Sequence, residues 1–210
     1  MKSKNFAAIK GRTVIGLTGP IAAGKSLALL LFEREGALCV SADEVSASLL
    51  TAPACYNRIL KKFSPVKILT NGRLDKKKLA AEVFKSPAKR KWLESLLHPE
   101  ILSRIHSLIT RSPKTIAVVE TPLLFEAGLA ECFTFTVCLT APAKTLEARA
   151  LKRGWSRGQY LERAKAQLPA EEKCARADIV LDNSGAPAAL AAKIKFICRF
   201  LKETAQGKKK

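Results

Sequence analysis

The octet GPIAAGKS, residues 19–26, sets two glycines five positions apart and follows the second with a lysine and a hydroxyl. A loop that wraps a polyphosphate needs that spacing. Gly19 and Gly24 let the backbone turn tightly, so that N–H groups of Ala22, Ala23 and their neighbours converge on phosphate oxygens. Lys25 can reach the β- and γ-phosphates of a nucleoside triphosphate, and the Ser26 hydroxyl can ligate Mg²⁺. A helix starting near Lys25 adds its positive dipole end. The motif is short, and its context gives it weight: the apolar run TVIGLT precedes it and SLALLLFERE follows. The alternative is a glycine-bearing strand–helix turn with a solvated lysine.

Two carboxylates stand where such a loop would use them. Asp43, in SADEV, follows the second apolar run and should lie at the carboxyl end of a strand, the edge where open α/β sheets bind ligands. There it could take the proton of an attacking hydroxyl, or it could simply cap the helix EVSASLL. Glu120 closes the run TIAVVE, where a strand-end carboxylate approaches Mg²⁺, and Pro122 stops the strand. Glu126 fits a functional role or a solvated helix face equally well. The guanine-reading pattern N-K-x-D is absent, and DNSG (182–185) reads as a turn after the last strand.

The elements that must carry these groups follow from apolar patterning. Strands are expected at 13–17, 37–40, 115–120, 133–140 and 179–181. Helices are expected at about 26–35, 75–85, 89–111, 143–152, 158–167 and 187–203. Continuous apolar strands separated by helices imply an α/β fold of three layers, with a five-stranded, mainly parallel sheet. Residues 44–114 read as a helix-rich lobe inserted into that core. The tail TAQGKKK is expected to fray.

At 210 residues and 48 % hydrophobic content the chain can bury a substantial core. No apolar run approaches the ~20 residues of a membrane span, and the basic N-terminus lacks the apolar segment of a secretory signal. Six cysteines show no C-x-x-C pair, which points to reduced thiols and a cytoplasmic setting. The net charge of +19 suits a polyphosphate substrate. Its lysines are dispersed, without an arginine-rich strip, so neither nucleic acid nor membrane is an expected partner.

With these residues in view, the chain resembles the dephospho-CoA kinases from about residue 13 to 203. The resemblance is carried by VIGLTGPIAAGKS, SADEV, GRLDKKKLAAEVF, LLHPEI, VVETPLLFEAGL, RGWSRGQYLERAKAQLPAEEK and ADIVLDNSG. It implies a P-loop kinase-like fold, ATP and Mg²⁺ as cofactors, and transfer of phosphate from ATP to the ribose 3′-hydroxyl of dephospho-CoA by a monomer. It also implies a core at 13–43 and 115–203, a CoA-binding lobe at 44–114, a lid at 149–165 and a basic tail at 204–210. By residue, Lys25, Asp43 and Arg153 would be catalytic. Gly19, Ala22, Ala23, Gly24, Lys25, Ser26, Leu27, Arg149 and Asn183 would hold the nucleotide. His98, Leu123, Arg163, Glu120 and Asp43 would meet the acceptor, with Ser26 and Glu120 on the metal.

His98 has a bland alternative, packing at a helix start with Pro99 in the first turn. Gln167 matches a family position without an assignable role. Trp92 reads as helix core, and Trp155 as a lid residue of open role. The chain departs from the family at Pro20, Ala22 and Ala23 in the loop, at Leu27, and at Ser41 and Glu120, where Asp is usual. One lid residue is also missing beside Arg153 and Gly154. A nucleoside monophosphate kinase, a nucleic-acid-stimulated ATPase and an inactive relative are the competing readings.

Overall fold

Thr13–Thr18 (β1) is apolar and β-branched enough to be covered on both faces, and every residue after Thr13 is buried. The computed structural model, which describes residues 5–207 and their side chains to 204, sets this strand at the centre of a five-stranded sheet. The others are Leu38–Ser41 (β2), Ile116–Glu120 (β5), Phe135–Thr140 (β6) and Ile179–Asp182 (β7), in the order β2-β5-β1-β6-β7. All four pairings are parallel. Parallel order needs crossovers, and helices supply them.

Alternate strand residues serve opposite faces. Ile15 and Leu17 join a core with Phe32, Val118, Leu139 and Ile194, reaching helices Lys25–Arg34 (α1) and Pro187–Gly207 (α10). On the other side, a side chain at Gly16 would meet Leu124 at 2.6 Å and Phe133 at 2.8 Å, so glycine admits the close packing there. Phe6 stacks at 5.4 Å on Phe133. Ala143–Lys152 (α7), Arg157–Lys165 (α8) and Ala170–Arg176 (α9) complete this part. α10 continues to Gly207, so residues 204–207 are helical rather than frayed, and Lys208 to Lys210 lie outside the described residues.

The chain divides into two compact units, Ala42–Leu108 and Asn5–Ser41 with Ile109 onward. The first holds Ala42–Leu49 (α2), Pro53–Lys62 (α3), Pro65–Ile68 (α4), Lys76–Phe84 (α5) and most of Pro87–Arg111 (α6). Its core gathers Cys55, Ile59, Phe63, Ile68, Leu79 and Leu96. Trp92 packs edge-on to Phe63 at 5.8 Å, a core role. A two-stranded hairpin, Leu69–Thr70 (β3) and Arg73–Leu74 (β4), turns at Asn71 and Gly72, both at positive φ. Asp75 then caps α5 by accepting from the N–H groups of Lys77 (2.9 Å) and Lys78 (3.2 Å). Pro99 is not in a first helical turn: it lies inside the 25-residue α6, so His98 is a mid-helix residue. Buried Leu96, Leu97 and Ile105 extend the apolar stripe on both sides of the proline, which keeps the helix continuous despite one missing N–H donor.

Candidate active site

The loop between β1 and α1 adopts a cradle that its sequence only partly favours. Gly19 and Gly24 sit at φ 142° and 98°, and Ala22 takes the left-handed region at φ 64°. For a residue with a Cβ that conformation costs about 1–2 kcal/mol. The alanine departure therefore strains the loop. Gly24 heads α1, and the Lys25 ammonium donates to the carbonyls of Gly19 (3.0 Å) and Pro20 (3.1 Å). Those bonds curl the lysine over the loop that its charge would serve.

A second layer holds the cradle from behind. Asn183 is 5 % exposed, and its Nδ2 donates to the Ala23 carbonyl at 2.8 Å. Its own N–H donates to Thr140 O at 2.8 Å, and its carbonyl accepts from Arg149 Nη2 at 2.7 Å. Arg149 thus belongs to the wall of the site rather than to a freely projecting arm. Its Nη1 is buried and has no partner among the described residues. A cavity of about 420 Å³ opens here, lined by Ala22, Gly24, Leu27, Arg149, Arg153 and Asn183 among others. Two guanidinium groups, the N-terminus of α1 headed by Gly24 and an unsatisfied buried donor fit a polyphosphate nucleotide.

Glu120, last in β5, pairs in register with Leu17 on one side and Ser41 on the other, at the carboxyl edge of the sheet. Ser26 is the second residue of α1. One hydroxyl and one carboxylate are a fitting donor set for Mg²⁺, which is commonly held by one or two carboxylates together with substrate phosphates. Among the described residues no cluster of three or more His, Cys, Asp or Glu side chains could form a full protein cage.

The remaining expected residues are more scattered. Arg153 caps the C-terminus of α7 and is exposed. Arg163, in the last turn of α8, lays its guanidinium over the Trp155 ring at 4.4 Å. This stacking gives Trp155 a role in holding an arginine. Leu123 is 45 % exposed in the turns after β5. Asp43 and His98 lie in the other unit, Asp43 in the first turn of α2 and His98 within α6. Asp43 is thus inside the helix it was expected to precede, two residues beyond the end of β2.

Sequence reasoning passed over Lys173. It is fully buried, 2.9 Å from Glu126, so the Glu126 carboxylate, on turns rather than on a helix, is half of an ion pair. Nothing in AEEKC separates this lysine from solvated ones; only its place on α9, which packs against β6, does. Two thiols also meet: Cys138 and Cys174 sulfurs are 3.9 Å apart. Burial first, then its thiol neighbour, push Cys138 up to about 12.

A family model described as dephospho-CoA kinase matches residues 13–188. The dephospho-CoA kinase of Anaeromyxobacter dehalogenans is 37 % identical over 185 residues, covering 86 % of this chain and 88 % of that protein. The crystal structure of TT1252 from Thermus thermophilus superposes with a TM-score of 0.81 at 33 % identity, covering 90 % of this chain and 98 % of that one. The dephospho-CoA kinase from Campylobacter jejuni gives a TM-score of 0.66 at 26 % identity, covering 93 % and 98 %.

Proposed function

The chain belongs to the dephospho-CoA kinase family, and on that premise we propose the residues by which it phosphorylates the ribose 3′-hydroxyl of dephospho-CoA. The products are coenzyme A and ADP, and the phosphate donor is ATP. The single observation that carries the nucleotide half is the cavity beside the phosphate loop, lined in part by Arg149, whose Nη1 is buried and unpartnered. A buried guanidinium N–H without an acceptor is costly until an anion or a ring nitrogen supplies one.

In this reading the loop from Gly19 to Ser26 binds the triphosphate, and Lys25 leaves the Gly19 and Pro20 carbonyls for the β- and γ-phosphates. Arg149, Leu27 and Asn183 hold the nucleoside end. Asp43 accepts the proton of the 3′-hydroxyl as the phosphoryl group moves in line. Arg153 and Arg163 complete the phosphate shell and exclude water. His98 and Leu123 contact the acceptor. Ser26 and Glu120 would hold Mg²⁺, which when bound neutralises charge on the phosphate oxygens. The lobe at residues 44–114 binds the CoA moiety, and the enzyme works as a monomer in the cytoplasm. No helix among the described residues is long and apolar enough to cross a membrane.

The test is ADP release with dephospho-CoA against AMP, CMP and UMP as acceptors. Turnover is expected with dephospho-CoA. Preferred turnover of a nucleoside monophosphate, or ATP hydrolysis stimulated by DNA, would overturn the assignment.

A further inference from the structure

Lys173 is the one residue of its kind among the described lysines: its side chain is fully excluded from solvent. Its ammonium has three donors and meets three acceptors, Pro122 O at 2.6 Å, Glu126 Oε1 at 2.9 Å and Gln167 Oε1 at 3.5 Å. The acceptors come from two working segments, Pro122 and Glu126 from the turns after β5 and Gln167 from the link between α8 and α9. The Pro122 carbonyl also accepts from the Thr18 hydroxyl at 3.3 Å, and Thr18 directly precedes the phosphate loop. Pro122 lies two residues beyond Glu120, the strand-end carboxylate. Glu126 Oε1 also accepts from the Leu168 N–H at 2.9 Å. Gln167 and Leu168 join α8, which carries Arg163, to α9.

The carboxylate is settled in its charged form. Burial alone would raise the Glu126 carboxyl, but the hydrogen bonds from Lys173 and from the Leu168 N–H outweigh it and hold the group below its ordinary range. A buried ion pair is weak evidence for stability, because apolar residues of similar volume often serve as well; fixing one arrangement of segments is the use it has left.

We propose that Lys173 is a positioning residue for phosphoryl transfer: with Glu126 it fastens the Gln167–Leu168 end of the α8 arm to the turn after Glu120 and to the entry of the phosphate loop. Arg163 then stands one helical turn from a fixed base, and the loop and the strand-end carboxylate share that base. This inference rests on the transfer reaction proposed above. It also gives Gln167 a role, as the acceptor that ties the arm to the ammonium.

Steady-state turnover of the full chain with ATP and dephospho-CoA, alongside thermal unfolding, tests it. Lys173→Met leaves Glu126 charged and unpaired, so both stability and turnover should fall. Adding Glu126→Gln removes that charge. The double variant should regain most of the lost melting temperature, yet keep a kcat lower by about tenfold or more, as expected when reacting groups lose alignment. Its KM for ATP should change far less than its kcat. Lys173→Arg, which keeps the charge and the donors, should recover part of the rate. A double variant that regains wild-type kcat together with its stability would overturn the proposal and leave Lys173 a purely structural residue. Failure of the wild-type chain to phosphorylate dephospho-CoA would refute the functional reading instead, so the two failures are separable.

Discussion

Gly24→Ala probes the junction of phosphate loop and nucleotide wall with one methyl group. At φ 98° the backbone is in a region that a Cβ disfavours, at a cost of about 1–2 kcal/mol. The added carbon would also land on Asn183 Nδ2, well inside van der Waals contact. That amide cannot step aside freely. The Asn183 N–H is tied to Thr140 O and its carbonyl to Arg149, so only the side-chain torsions can yield. When they yield, the bond to Ala23 O is lost and a buried acceptor goes unpaired, for about 1–3 kcal/mol. The expected total is therefore about 2–5 kcal/mol, measured by urea unfolding of each variant.

The partner variant makes the reasoning refutable. Asn183→Ala removes the group with which the methyl collides. Gly24→Ala combined with Asn183→Ala should then cost less than the two single losses together, with a coupling of about 1–2 kcal/mol. ATP affinity should fall in Gly24→Ala and not be restored in the double variant, because the backbone strain at the head of α1 remains. Strict additivity, or a Gly24→Ala chain within about 0.5 kcal/mol of wild type, would refute the contact.

Lys25→Ala should lose on the order of a hundredfold or more in turnover, as expected for a preorganised charge on a transferring phosphate; a variant within about threefold removes the lysine from the mechanism. Asp43→Asn should keep ATP affinity while kcat drops strongly, and a collapse of ATP affinity would make Asp43 a structural or metal-binding residue. Arg153→Lys should cut turnover with little effect on folding, whereas Arg149→Lys should raise KM for ATP, because it forfeits the fork that reaches Asn183 O. Silence of both at saturating substrates would return these arginines to the solvated surface. Finally, burial pushes the Cys138 and Cys198 thiols up to about 12 and about 11. The stability they contribute is present in full below the ordinary thiol range and is lost as pH climbs from there through the folded values, by up to about 1.4 kcal/mol per thiol per pH unit. Unfolding free energy should therefore decline from about pH 8 to about pH 10.5, with a shallower slope in Cys198→Ala; an unchanged slope would refute the linkage.

Residues whose neighbours are local in the chain are legible from pattern. The glycines of the loop, the β-branched strands and the strand-end position of Glu120 follow from residue type and spacing, and β5 does end at Glu120. The β3–β4 hairpin went unread although the Asn71–Gly72 dipeptide is its usual signal, because its strands are two residues each and offer no alternation to count. Pro99 misled because proline is commonest in first turns, while the continuity of α6 is decided by packing on both sides. Lys173 was illegible for a different reason. Its acceptors lie 51, 47 and 6 positions away in the chain, and no local pattern marks a lysine for burial.

Those same illegible features bear on whether the departures in the loop have silenced this chain. Replacing glycine and serine by Pro20, Ala22 and Ala23 could have relaxed the loop into an ordinary turn. Instead Ala22 holds φ 64° under strain, Asn183 reaches across 160 positions to bind Ala23 O, and Arg149 keeps a buried Nη1 without a partner. The strain at Ala22 and the unmet donor of Arg149 each cost folding free energy, on the order of 1–3 kcal/mol. A chain with nothing to bind would lower its energy by letting Ala22 return to negative φ and Arg149 turn outward. Bound ATP offsets both terms, because its phosphates meet the strained loop and its nucleoside end offers an acceptor to the unpartnered Arg149 Nη1. The same balance makes a measurable demand: ATP must stabilise the folded chain, by RT ln(1 + [L]/Kd), and Arg149→Ala must reduce that stabilisation more than it reduces the stability of the chain alone.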